Sequence, residues 1–311
     1  MITAIAKTPF DAGILDRVWL RLRQGDLAAR RETLDALGCR FPAPSEGYEE
    51  DDAFIYLPVS PLVRRGDHIH QDTVYFAIGD TILVTLEPDD GFPPFDRALA
   101  TLQRRPELIR TAHGVMYALL SAMNSAAHQI VELASNALDA MTGPITEIMD
   151  GTDEKGRELG VGDIAGAMSQ LNENEDLISR MQEGQLLLER AARYLRNEVG
   201  GSNADLRLSI ETLISDIQSV KEHAGFEHDK LRYLQNAVMT SLNVKQNQIV
   251  KVFTIITAVF LPPTLVATFY GMNFAVMPEL AWKHGFPMTI ILTLLAALLP
   301  LVYIKQKGWL R

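Results

Sequence analysis

The side chains best placed to do chemistry lie late in the chain, on a stretch otherwise free of charge. At about 100° per residue, Val250, Phe253, Thr257, Leu261, Thr264 and Thr268 fall in one helical stripe, with Ile255, Val259 and Val266 opposite. Three threonines on one face of an apolar helix have a plain explanation: a helix–helix contact, or hydroxyls bonded to their own i−4 carbonyls. They also suit a water-lined wall assembled from several copies of the chain. Pro262-Pro263 sits among them. Proline removes a backbone donor and frees a carbonyl that neighbours or water must satisfy. The run closes on Tyr270-Gly271-Met272-Asn273-Phe274. Taken alone, Asn273 beside a glycine reads as a helix C-cap.

Elsewhere the chemistry is sparse. His68 and His70 would share one face of a strand, but two ligands do not make a metal site, so an ordinary strand or loop is expected. The single cysteine, Cys39, excludes an internal disulfide framework, fits a reducing compartment and is expected to be packed. No nucleophile–base constellation is readable, so no catalytic residue is assigned and the chain is read as a non-enzyme. There is no G-x-x-x-x-G-K-[ST] motif, so no nucleotide is expected. A formal net charge of −10 over 311 residues argues against a nucleic-acid binder, which needs a basic footprint.

The elements that must position these residues change character along the chain. Up to about Pro94 strands alternate with short helices. Val18–Leu22, Phe54–Val59, Val74–Ile78 and Thr81–Leu86 read as strands, with a hairpin turn at Gly79-Asp80. A helix is expected from a cap at Asp26 to Gly38. Pro42, Pro44, Gly47 and the acidic run Glu49–Asp52 read as a loop. From about Phe95 the period turns helical. Leu99, Leu102, Leu108 and Ile109 fit one stretch; Met116, Leu119, Leu120, Met123, Ile130, Leu133 and Leu138 fit another, punctuated by Gly143-Pro144. Gly151–Gly162 reads as an exposed turn, and Ile164–Val199 as helix ended by Gly200-Gly201. With Asn203 or Asp205 as cap, there is no proline and only Gly225 up to Pro262. One helix of roughly 65 residues, near 100 Å long, is therefore expected to start in the cytosol and enter a membrane.

Val252–Met272 and Phe286–Ile304 are uncharged runs long enough to cross a hydrocarbon core of about 30 Å. The plain alternative is a pair of buried core helices. About 13 residues separate the runs, so they should form an antiparallel hairpin. Lys245 and Lys251 precede the first; Lys305, Lys307 and Arg311 follow the second; the loop holds Glu279, Lys283 and His284. This excess of Lys and Arg places both outer ends in the cytosol. The opening MITAIAKTPFDAG lacks the features of a secretory signal, in agreement. Tyr303 and Trp309 stand where interfacial aromatics belong.

Tyr270-Gly271-Met272-Asn273 at the end of the first of two terminal spans, with Met277-Pro278-Glu279-Leu280 following, resembles the CorA family of magnesium channels, proteobacterial type. Asn247-Gln248, the LPPTLVA run Leu261–Ala267 and the basic-aromatic C-terminus extend the resemblance, which is close from about Asp216 to Arg311. It implies a CorA-like fold: an α/β cytosolic domain with a mixed sheet flanked by helices, and a long stalk helix continuing into an all-α membrane part. The expected organisation is a cytosolic α/β/α domain with a helical hairpin over 1–202 and the cytosolic stalk over 203–248. A pore-lining first span follows over 249–272, then an extracytoplasmic loop over 273–285, a second span over 286–305 and a basic cytosolic tail over 306–311.

The resemblance further implies a homopentamer in the bacterial inner membrane that carries Mg²⁺ inward, with Co²⁺ and Ni²⁺ as further cargo, without nucleotide. Tyr270, Gly271, Met272 and Asn273 would form the outer mouth, with a ring of Asn273 as selectivity element. Asn247, Val250, Phe253, Leu261 and Thr264 receive pore-facing places. The helical stripe includes all of these but Asn247, which lies at its edge, and adds Thr257 and Thr268. Glu279 would attract cations at the mouth; a solvated loop charge is the plainer reading. The resemblance also implies regulatory Mg²⁺ held by carboxylates between neighbouring cytosolic domains. Asp216 lies near such a position, with Asp89 and Asp90 of a neighbour as partners; in so acidic a chain, solvated charge is the plainer reading. Two alternatives stand: a Zn²⁺ transporter of the related ZntB type, and a tail-anchored cytosolic sensor or scaffold without transport.

Overall fold

The computed structural model describes residues 10–41, 48–199, 203–272 and 277–308. The chain divides into two compact units, residues 1–145 with 167–235, and residues 146–166 with 236–311.

The first unit opens on a short helix, α1 (Ala12–Val18), whose Asp11 cap accepts from the Gly13 N–H at 2.8 Å. It runs directly into β1 (Trp19–Arg23). The expected first strand is thus displaced by one residue, and α1 is an element the sequence reading lacked. The helix expected over Asp26–Gly38 is shorter, α2 (Arg31–Leu37), behind a 3-10 turn at Gln24–Asp26. Asp26 does not cap it. Gly38 ends it as expected, in the left-handed region at φ 76°, where a side chain would be strained.

Then come β2 (Glu49–Glu50), β3 (Ile55–Val59), β4 (Leu62–Arg65), β5 (His68–Gln71), β6 (Val74–Ile78) and β7 (Leu83–Glu87). Glu49 and Glu50 pair with β3 instead of lying in a loop, and Pro42, Pro44 and Gly47 fall outside the described residues. The mixed sheet has the order β1-β7-β6-β3-β2, with β1 parallel to β7 and the remaining pairs antiparallel. β4 and β5 form a separate hairpin that the sequence reading missed. Period-2 alternation splits the sheet between two cores. Val74, Phe76 and Ile78 face one side; Ala77, Val84 and Leu86 face the other, with Leu34, Cys39 and Tyr56. One buried carboxylate is accounted for: Glu87, 1% exposed, takes a bidentate pair from Arg21 at 2.7 and 2.8 Å.

The larger core is completed by α3 (Pro93–Arg104), α4 (Ala112–Asp150), α5 (Val161–Val199) and the start of α6 (Ala204–Tyr270). Met116, Leu119, Leu120, Met123, Ile130 and Leu138 are fully buried on α4, but Leu133 is 39% exposed, because it falls at the edge of that stripe. Gly143-Pro144 does not punctuate: α4 runs through it to Asp150. Leu138, Met141, Ile145 and Ile148 stay buried across the proline, so packing outweighs the lost backbone bond. The ending of α5 at Gly200-Gly201 lies outside the described residues. Asn203, not Asp205, caps α6, its Oδ1 accepting from the Leu206 N–H at 3.1 Å.

The second unit holds the turn between α4 and α5, the end of α6, and α7 (Gly285–Gln306). The expected turn is tightly made: Asp153 Oδ1 accepts from the N–H groups of Lys155 and Arg157 at 3.0 and 2.8 Å, and Thr152 bridges Glu158. α6 is a single helix of 67 residues, about 100 Å long. Its most apolar window is 0% buried and that of α7 is 6% buried. Neither is a soluble core helix; apolar helices left this bare need another apolar medium.

Candidate ion pathway

The end of α6 presents two different faces. Val250, Phe253, Thr257, Leu261, Thr264 and Thr268 are all exposed, whereas Ile255, Val259 and Val266 opposite are half-buried. The separation follows from the one-turn spacing of the stripe. Asn247, at its edge, is exposed as well.

The threonine hydroxyls are not idle. Thr257 donates to the Phe253 carbonyl at 2.8 Å, Thr264 to Phe260 and Thr268 to Thr264, each at 2.7 Å; Thr254, off the stripe, does the same to Val250 at 2.8 Å. The plain i−4 explanation therefore describes their bonding. It has a chemical consequence. With its hydrogen spent on the backbone, each Oγ offers only lone pairs outward. Pro262 and Pro263 deprive the carbonyls of Ala258 and Val259 of their i+4 donors, off the stripe on the half-covered side of the helix.

α6 closes on Tyr270, with Gly271 N–H to the Ala267 carbonyl at 3.0 Å and Met272 N–H to the Phe269 carbonyl at 3.4 Å. A Cβ at Gly271 would lie 3.0 Å from the Ala267 carbonyl oxygen one turn back, a tight contact that glycine relieves. Asn273 lies outside the described residues. Glu279 falls in a 3-10 turn, Pro278–Ala281, which leads to α7.

α7 contributes a feature the sequence reading passed over. Its covered positions are Gly285, Met288, Thr289, Thr293, Ala296 and Ala297, then Pro300 and Ile304. Small residues at three- and four-residue spacing let membrane helices approach, and that spacing was the available signal.

The carboxylates named as regulatory candidates are dispersed. Asp216 is exposed on α6. Asp89 accepts from the Gly25 N–H at 2.6 Å, and Asp90 stands 3.7 Å from Arg65. Among the described residues, no group of three or more His, Cys, Asp or Glu is placed to hold a metal ion. The chain alone does not bring the three aspartates into one site. His68 and His70 stand on β5 with ring centroids 6.2 Å apart, an ordinary exposed strand pair. Cys39 is packed, at 2% exposure. One contact escaped the sequence reading: Lys245 pairs with Glu158 of the α4–α5 turn at 3.6 Å.

A family model described as CorA-like Mg²⁺ transporter protein matches residues 34–306. The chain is 32% identical over 312 residues to the magnesium transport protein CorA of Sodalis glossinidius (strain morsitans), covering 96% of this chain and 93% of that protein. To the magnesium transport protein CorA of Escherichia coli (strain K12) it is 30% identical over 310 residues, with 96% and 93% covered. The complete structure of the CorA magnesium transporter from Methanocaldococcus jannaschii matches with a TM-score of 0.69 at 16% identity, over 94% of this chain and 92% of that one. At that identity the likeness speaks for the fold. On the family model and these sequence relatives, the chain belongs to the CorA-like Mg²⁺ transporter family.

Proposed function

We propose that this chain is the subunit of a homopentameric inner-membrane channel that carries Mg²⁺ into the cell, with Co²⁺ and Ni²⁺ as further cargo. The observation that carries the reading is the exposed acceptor stripe of α6, ending at the Tyr270-Gly271-Met272-Asn273 motif. Mg²⁺ sheds water reluctantly and holds an octahedral shell at about 2.0–2.1 Å. Bound water on a divalent ion is a strong donor. Hydroxyl oxygens with only lone pairs to offer complement it without a formal charge that would trap the ion. A ring of Asn273 amide oxygens, one per copy, would select at the outer mouth by the same chemistry, with Glu279 drawing cations to it. Val250, Phe253 and Leu261 would form apolar constrictions that gate by excluding water.

The reading keeps residues 1–248 in the cytosol, α6 and α7 crossing the membrane, and 273–285 outside. Regulatory Mg²⁺ would bridge copies through Asp216 and a neighbour's Asp89 or Asp90. The exposure of Asp216 supports that reading; within one copy, Asp89 and Asp90 are occupied by Gly25 and Arg65.

The test is flux into liposomes carrying a Mg²⁺-sensitive dye. Wild type should admit Mg²⁺ faster than Zn²⁺, and Asn273→Ala should abolish that preference. Mg²⁺ that stays outside the vesicle would overturn the reading in favour of a scaffold. Preference for Zn²⁺ would move the chain to the zinc-transporting branch.

A further inference from the structure

The loop end of the membrane hairpin carries a groove that the ion pathway does not use. It encloses about 540 Å³ where the end of α6 meets the start of α7. Tyr270, Trp282 and Lys283 line it at the loop; Phe286, Ile290 and Leu294 continue down α7. Those three apolar residues are one turn apart each and span about 12 Å of helix axis. They are 78%, 45% and 59% exposed, so nothing among the described residues covers this track. The hydroxyl hydrogens of Thr289 and Thr293, on the same wall, go to the carbonyls of Gly285 and Thr289 at 2.9 and 2.8 Å, which leaves the track without side-chain donors.

The polar end has a definite sign. Lys283 is the only Lys or Arg between Lys251 and Lys305, and it is exposed with no acidic partner among the described residues. Trp282 and Tyr270 are amphipathic rings of the kind that settle at a membrane–water boundary. A cation and two such rings heading an apolar track match an amphiphile with an anionic head and a long chain.

We propose that this groove is a binding site for an anionic phospholipid of the adjoining leaflet. Its phosphate pairs with Lys283 beside Trp282 and Tyr270, and one acyl chain lies along Phe286, Ile290 and Leu294. The inference rests on α6 and α7 crossing the bilayer, not on ion conduction.

Full-length protein in nanodiscs containing phosphatidylglycerol with a photoreactive acyl chain tests it, the cross-links being mapped by peptide mass spectrometry. Label should fall on residues 282–294. One lysine near a membrane surface is worth about 1 kcal/mol, so Lys283→Gln should reduce that label about fivefold. Lys305→Gln, at the opposite end of α7, should leave it unchanged. Ile290→Trp should displace the label by filling the track, and helical circular dichroism confirms that each variant folds. Equal labelling of wild type and Lys283→Gln overturns the proposal. So does equal labelling by a phosphatidylcholine probe. Efficient disulfide cross-linking of Ile290→Cys to a second copy would overturn it too, by showing that protein fills the groove. Labelling is read without flux, so a channel that fails to conduct leaves the outcome interpretable.

Discussion

Cys39 illustrates how a residue's chemistry is set by its surroundings. Burial pushes its thiol up to about 11; a hydrogen bond with Tyr56 pulls the other way, and the nearby Asp51 charge raises it again. The thiolate is the reactive species, so native protein at pH 8 should resist iodoacetamide while denatured protein is fully alkylated, as read by intact mass. Rapid native labelling would contradict the packing. Glu189 shows the opposite balance. Burial alone would raise its pKa, but hydrogen bonds from Gln218, Arg193 and Lys221 outweigh that and hold the carboxyl below its usual range. A depressed carboxylate stabilises the fold above its unfolded value, about 4.3, and loses that contribution as pH falls through the folded value. Glu189→Gln should therefore cost about 1 kcal/mol at pH 7, a modest figure because Arg193 and Lys221 are partly exposed. The deficit, read from thermal melts, should shrink as pH falls below about 4.3 and vanish once pH lies below the depressed folded value.

At the scale of elements, two helices are held by glycines that admit a neighbouring backbone. A Cβ at Gly114, on α4, would lie 2.4 Å from the Leu108 carbonyl oxygen; one at Gly184, on α5, would lie 2.8 Å from that of Ser60. Backbone cannot swing aside as a side chain can. Gly114→Ala should destabilise the first unit by about 2 kcal/mol, although alanine is the better helix former. An unchanged melting temperature would show that the α4 start shifts freely. The same elements show where periodicity reads well and where it does not. The strand β6, a short continuous apolar run, and the unbroken α6 follow directly from pattern. Pro144 is read as a stop on local propensity but lies mid-helix, because α4 keeps burying residues beyond it. α1 and the β4–β5 hairpin carry too few periodic residues to stand out from turns.

For the whole molecule, charge is distributed unevenly. The chain is acidic, yet after Asp229 Glu279 is its one acidic residue against eight Lys and Arg. The membrane part is thus basic at its flanks and nearly neutral within. A divalent ion gains about 4.6 kcal/mol per 100 mV, enough to concentrate it without nucleotide. In proteoliposomes, Mg²⁺ entry should accelerate when a valinomycin–K⁺ gradient makes the interior negative and should be indifferent to ATP. Entry that ignores the imposed potential would argue against a channel.

Composition and short motifs by themselves determined the membrane hairpin, the long helix and the family, because a span is a property of about 20 consecutive side chains and the Tyr270–Asn273 motif is continuous. The apolar-and-threonine stripe was equally readable, since helical geometry alone puts its members on one face. The structure decided between the two readings of the threonines, in favour of the i−4 bonding that leaves Thr257, Thr264 and Thr268 as acceptors. It also decided that Asp89 and Asp90 answer to Gly25 and Arg65 within their own chain. Such pairings join residues far apart in sequence, and their partners follow from packing that no local pattern encodes.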